Sequence, residues 1–208
     1  MPLYMDIHNL DNGTTPEDVA KAHAKDMEVQ EKYGVKYAKY WVNESGKKVF
    51  CLAHAPSAEA AEQVHREAHG MMPEKIIEVE PDVAEVFLGG TETSSGGAVL
   101  LPGGSADDRD PGIRTILFTD VVNSTTLTQS LGDEAALAIL GVHDTIVRDA
   151  LSASGGREIK HTGDGIMAAF VSAASAIRCG IKVQEDLWQH RAPLPHFPLP
   201  VRGGIAAR

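Results

Sequence analysis

Two aspartates and a handful of histidines carry most of the chemistry open to this chain. Asp120 closes an apolar run in Leu117-Phe118-Thr119-Asp120-Val121-Val122-Asn123-Ser124-Thr125, and Asp164 sits within Glu158-Ile159-Lys160-His161-Thr162-Gly163-Asp164-Gly165. One carboxylate at a strand end and another at a hairpin tip can hold divalent cations between them. Such cations neutralise phosphates and activate a hydroxyl in phosphoryl and nucleotidyl transfer. Magnesium suits the pattern, because it takes one or two carboxylates and completes its shell with substrate oxygens. Between Val121 and Thr125 the chain turns into a helix, whose first N–H groups suit a triphosphate. Each signal alone also has a plainer reading, since an aspartate before Ser-Thr is common at helix caps and Gly-Asp-Gly is common in hairpin turns.

The histidines form the second constellation. Five of the nine lie in residues 1–88, and His65 and His69 stand four apart, on one face of a helix. That spacing can grip a transition metal. His23 falls on the other helix of the same region and Cys51 on a hairpin strand, so His23, Cys51, His65 and His69 converge if both helices pack on one sheet face. The plainer reading is a surface histidine pair and a cysteine used as a small hydrophobe.

The elements that must position these groups follow from periodicity and caps. Leu3 to His8 reads as a strand; Thr15 caps a helix from Pro16 to about Tyr33, closed by Gly34. Val35 to Val42 and Lys48 to Ala53 form a hairpin, Ser57 caps a second helix to about His69, and Ile76 to Val79 is a last strand. This βαββαβ order is ferredoxin-like. Residues 89–112 are rich in Gly, Ser, Asp and Pro and read as a flexible linker, with Ala98-Val99-Leu100-Leu101 able to dock on a neighbour. The region 113–208 continues with strand Ile113 to Thr119, helices Ser124–Leu131 and Glu134–Ser152, strands Glu158–Thr162 and Ile166–Phe170, and a helix capped by Ser172. The long helix is expected to bury Leu137, Leu140, Ile146, Val147 and Leu151, and the last one Ala176, Ile177, Gly180, Ile181, Leu187 and Trp188. A proline-rich loop precedes a final strand, Val201 to Ala206. The expected class is α+β, with a domain over 1–88, a linker over 89–112 and an α/β domain over 113–208.

Composition narrows the partners. The net charge of −10 is concentrated at the front, where residues 1–88 carry 16 acidic and 9 basic groups, while 113–208 carry 9 of each. An acidic front half with no basic stripe argues against nucleic acid. No stretch nears the roughly 18 apolar residues of a membrane span, and residues 1–10 lack a signal-peptide pattern. A cytoplasmic protein is expected. Two cysteines in different halves imply no disulfide framework.

Taken together, the Phe-Thr-Asp-x-Val opening and the Lys160-His161-Thr162-Gly163-Asp164-Gly165 turn resemble the class III adenylate/guanylate cyclase family, over about residues 114–207. Leu131-Gly132-Asp133-Glu134, His143-Asp144, Val147-Arg148, Gly155-Gly156 and Ala168-Ala169-Phe170 extend the likeness. The resemblance implies Asp120 and Asp164 as catalytic ligands of two Mg²⁺ or Mn²⁺ ions, with the Val121 carbonyl as a backbone ligand. It implies Asn123, Ser124 and Thr125 on the phosphate turn and Lys160 reading the purine across a homodimer interface. A lysine there favours ATP, converted to cyclic AMP and pyrophosphate; GTP is the alternative. Asn123 stands where the family has glycine. The family's later partner of that lysine, and its transition-state Asn and Arg, have no positions here, so efficient cyclisation by these residues alone is not expected. Tyr40-Trp41-Val42, Phe50-Cys51-Leu52, Ala55-Pro56 and Val64 to Gly70 resemble a small ferredoxin-like family over about 3–80, some of whose members bind nickel and dimerise. This implies Ni²⁺ at His23, Cys51, His65 and His69. The leading expectation is therefore a signalling cyclase behind a metal-sensing domain. The alternative is a non-catalytic regulator that binds metal and nucleotide without turnover.

Overall fold

Alternating apolar positions in the front of the chain become four antiparallel strands, β1 (Leu3–Asn9), β2 (Lys36–Asn43), β3 (Lys48–His54) and β4 (Lys75–Val79), in the order β2-β3-β1-β4. The computed structural model describes residues 1–89, 92–103, 105, 107–191 and 200–207. It divides into two units, Met1–Ile113 and Arg114–Arg208. No described helix is long and apolar enough to cross a membrane.

In the first unit, helix α1 (Pro16–Val29) starts on a reciprocal cap in which Thr15 Oγ1 accepts from the Asp18 N–H at 3.3 Å and Asp18 Oδ2 accepts from the Thr15 N–H at 3.1 Å. A 3₁₀ turn, Gln30–Tyr33, extends it to Gly34, whose φ of 67° permits the reversal into β2. Helix α2 (Ala58–Ala68) starts on Ser57. Val19 of α1 and Ala61 and Val64 of α2 pack on the sheet face that carries Tyr40, Val42, Val49, Cys51 and Ala53. The opposite face carries Leu3, Trp41 and Leu52, and it too is covered. One cover is a further helix, α3 (Pro81–Leu88), which the sequence reading did not include.

The second cover corrects the expectation of a flexible linker. Among the described residues of 89–112, Val99 is fully buried in the Trp41 cluster, its N–H donates to the Tyr40 carbonyl at 2.8 Å, and the Tyr40 N–H donates to the Gly97 carbonyl at 3.0 Å. Ala98 thereby pairs parallel to Tyr40 on the edge strand β2. An open strand edge and an apolar face holding a tryptophan outweigh the low hydrophobicity of the segment. The boundary between units accordingly falls at Ile113/Arg114.

The second unit repeats the strand order. Strands β5 (Thr115–Val121), β6 (Arg157–His161), β7 (Ile166–Phe170) and β8 (Val201–Ala207) run β6-β7-β5-β8, all antiparallel. Helices α4 (Ser124–Leu131), α5 (Asp133–Ser154) and α6 (Ala173–Arg191) complete it. Both units are thus α+β with a ferredoxin-like sheet. The core joins Leu117, Val121, Ile166, Ala168 and Phe170 of the sheet to Ile139, Val147 and Leu151 of α5 and Ala176, Cys179, Val183 and Leu187 of α6.

Two predicted helix faces need correction. Leu137 of α5 is 67% exposed, and the buried set there includes Ala136, Ile139, His143 and Ala150, with Leu140 and Ile146 only partly buried. On α6, Ile177, Ile181 and Trp188 are exposed. Apolar residues wrap more than one face of α6, and the sheet engages the stripe spaced three and four apart from Ala176 to Leu187. The proline-rich loop lies outside the described residues.

Candidate metal and nucleotide sites

Packing brings the four N-terminal candidates to one place, between the sheet and the two helices. His23, Cys51, His65 and His69 all line a cavity of about 580 Å³. The structure adds donors that sequence reasoning missed. Asp6 pairs in register with Cys51, and His8 with Val49, which puts both β1 side chains on the helix-facing side of the sheet. Asp26 lies one turn beyond His23 on α1. The alternation Asp6-x-His8 and the spacing His23/Asp26 were the available signals, but they became informative only once the register was known.

His65 is the hub. Its Nε2 lies 2.9 Å from Asp6 Oδ2 and 3.0 Å from the Tyr37 hydroxyl, and its Nδ1 lies 3.1 Å from Asp26 Oδ1. His69 Nε2 lies 3.1 Å from that same Asp26 oxygen. His65, Asp6 and Asp26 are almost wholly buried. Burial opposes charge on all three, yet the ion pairing prevails. His65 is raised to about 9 because Asp26 and Asp6 flank it, and Asp6 is held near 2 by the His65 hydrogen bond and by the His8 imidazole 3.4 Å from its other oxygen. Asp26 is lowered in the same way, its burial outweighed by His65 and His69. Burial also pushes the Cys51 thiol up and His23 down.

The donor geometry fits a cation. Ligand atoms of Asp6, His8 and Cys51 lie within 4.8 Å of one another, as do those of Asp26, His65 and His69. Among the described residues, five buried side-chain atoms have no hydrogen-bond partner, and three of them, Asp6 Oδ1, His8 Nε2 and His23 Nδ1, are at this site. Unsatisfied buried donors and acceptors are costly, and an ion held by Asp6, His8 and Cys51 would satisfy the first two, while His23 is not among the converging ligand atoms. Imidazole, thiolate and carboxylate together suit a borderline transition metal.

The second constellation lies at strand ends. Asp120 is half-buried near the end of β5, and its Oδ2 accepts from Arg202 Nη2 at 2.9 Å across the β5–β8 ladder. Asp164 is half-buried in the β6–β7 turn and accepts from the Ser124 hydroxyl at 2.6 Å. The Val121 N–H donates to the Asp164 carbonyl at 3.0 Å, so the backbone next to one aspartate is stitched to the other.

The glycines of the turn have separate causes. Gly163 has a φ of 100°, while a Cβ on Gly165 would lie 2.0 Å from the Thr119 carbonyl oxygen. The Ile166 N–H closes the same approach by donating to Thr119 Oγ1 at 3.0 Å. Asn123 adopts φ 59°, the left-handed conformation that asparagine tolerates best after glycine. It gives α4 no side-chain cap, so the first-turn N–H groups near Ser124 and Thr125 keep no capping partner from it. Lys160 is exposed on the edge strand β6 and makes no hydrogen bond to either carboxylate among the described residues. Arg202 was missed, because only the ladder register shows that it faces Asp120.

Comparison with known proteins now adds names to both units. Residues 4–79 match the family model "Nickel responsive protein SCO4226-like". The solved SCO4226 of Streptomyces coelicolor A3(2) is 32% identical, with 37% of this chain covering 94% of that one at a TM-score of 0.35. The first unit belongs to the SCO4226-like family. For the remainder, an adenylate cyclase of Neurospora crassa is 38% identical over 73 residues, 35% of this chain and 3% of that protein. The Ser/Thr-protein kinase pkn2 of Myxococcus xanthus is 29% identical over 95 residues, 46% of this chain and 11% of the kinase. The chain therefore spans only 3–11% of the length of the curated relatives it matches. Solved adenylyl and guanylyl cyclases match at 21–26% identity and TM-scores of 0.37–0.44. Behind its SCO4226-like domain, the chain carries a segment similar to a short part of fungal adenylate cyclases.

Proposed function

We propose that the second unit is the metal- and triphosphate-binding half of a cyclase that converts ATP to cyclic AMP and pyrophosphate, working as a homodimer in the cytoplasm. The observation that carries this reading is the Val121 N–H to Asp164 carbonyl bond, which ties the end of β5, next to Asp120, to the turn that carries Asp164. Two Mg²⁺ or Mn²⁺ ions held there would acidify the ribose 3′-hydroxyl and neutralise the departing pyrophosphate. Asp120, Asp164 and the Val121 carbonyl would hold them. Ser124, now bonded to Asp164, turns with Asn123, Thr125 and the α4 N–H groups toward the triphosphate. Arg202, whose partner is Asp120, becomes available to phosphate oxygens once that carboxylate binds a cation. Lys160 selects the purine, with adenine preferred over guanine.

The first unit is proposed as a Ni²⁺-type sensor that uses Asp6, His8, Cys51, Asp26, His65 and His69, with His23 at the cavity wall. A sensor that dimerises would raise the effective concentration of the tethered cyclase segments. The test is cyclic nucleotide formation by the chain with Mn-ATP and Mn-GTP, beside Asp120→Ala. Turnover of ATP that the substitution removes supports the enzyme. Metal-dependent nucleotide binding without turnover in either supports instead a non-catalytic regulator.

A further inference from the structure

A cluster outside both donor sets ties helix α5 to the strand that carries Lys160 and leads into Asp164. His161 Nδ1 accepts from the Gly163 N–H at 3.2 Å, which leaves the ring proton on Nε2, and Nε2 stands 2.8 Å from Asp144 Oδ2. The other oxygen of Asp144 is 3.0 Å from Nδ1 of His143, a fully buried side chain of α5. At the opposite end of β6, Arg148 grips Glu158 through two hydrogen bonds of 2.7 and 3.1 Å. Helix α5 therefore clamps β6 at both ends. Between the clamps lie Lys160 and a register irregularity, on an edge strand that pairs, among the described residues, with β7 alone. An edge strand with a bulge is a poor platform for a side chain that must read a base.

We propose that the Asp144–His161 pair is a positioning device for the nucleotide site. Asp144, anchored by His143, orients the His161 imidazole, and that imidazole holds the Gly163 amide and so sets the pose of the Asp164 turn and of Lys160. This rests on the nucleotide reading of Asp164 and adds residues that touch neither metal nor nucleotide. Groups behind a ligand fix its orientation, and their loss typically costs about 10–100-fold in affinity or activity.

The experiment measures Mn²⁺-dependent binding of a fluorescent, non-hydrolysable ATP analogue to the full chain. His161→Ala is expected to weaken binding about tenfold with the far-UV spectrum unchanged. His161→Asn, whose carboxamide oxygen can accept from an amide two residues on, is expected to recover most of that loss. His161→Gln, which reaches Asp144 but not the Gly163 amide, stays as weak as Ala. The ¹⁵N shifts of His161 should report the Nε2–H tautomer. Equal binding by His161→Ala and the unsubstituted chain overturns the proposal, as does rescue by Gln and not by Asn. Asp164→Ala separates the two levels. If it binds like the unsubstituted chain, the nucleotide reading falls and the proposal with it; if it alone loses binding, only the positioning role falls.

Discussion

The two units lay four strands in the same order, β2-β3-β1-β4 and β6-β7-β5-β8, yet they put their polar groups in opposite places. In the first, the donors point inward from β1, β3, α1 and α2 into the layer between helices and sheet, where His65 and both of its aspartate partners are buried. In the second, Asp120 and Asp164 stand half-buried at the rim, where a strand ends and a hairpin turns. Interior donors lose their water and must be satisfied permanently, so they suit a resident ion with nitrogen and sulfur ligands. Rim carboxylates keep water and space, so they suit hard ions that arrive with a phosphate. One topology thus supports a closed site and an open one, and the difference lies in which strand positions carry charge.

The largest effect should come from breaking the closed site at its hub. His65→Ala leaves Asp6 and Asp26 buried without their shared partner, which costs about 3–5 kcal/mol. Denaturant unfolding should show that loss, together with failure to retain Ni²⁺. Next is the open site's close approach. Gly165→Ala forces a Cβ against the Thr119 carbonyl and should cost about 1–3 kcal/mol, with nucleotide binding falling while Ni²⁺ uptake is unchanged. Gly163→Ala meets no neighbouring atom within 4 Å and is strained only through its φ of 100°, so the milder loss belongs there. The smallest effect concerns the cover on the first sheet. Val99→Ala removes a fully buried side chain from the Trp41 cluster and should cost about 1–2 kcal/mol, detected as faster proteolysis between residues 100 and 113.

The same contrast explains what was legible in advance. The proposed open site leaves its trace in the sequence because its residues are local: a strand-end aspartate, an asparagine in a left-handed turn and a Gly-Asp-Gly hairpin each leave a short pattern. Most strands and helices were legible for the same reason, through caps such as Thr15 and Ser57 and through Gly34. The closed site was only half legible. His65/His69 show in helical spacing, but Asp6, His8 and Asp26 join them through sheet register and helix packing, which no short window contains. Arg202 escaped notice for that reason as well. Residues 97–99 and the α6 face failed differently. Local hydrophobicity says that Gly-rich segments stay free and that Trp188 is buried, whereas an open strand edge captured the first and the second lies off the α6 stripe that enters the core.

The most direct measurement is equilibrium dialysis of the full chain against Ni²⁺ and then Mn²⁺, with and without the non-hydrolysable ATP analogue, read by elemental analysis. The predicted result is Ni²⁺ retained without nucleotide and lost in His69→Ala, and additional Mn²⁺ retained only with the analogue and lost in Asp164→Ala. Extra Mn²⁺ bound equally without nucleotide, or Ni²⁺ retention that follows Asp164 and not His69, would contradict the division into a closed and an open site.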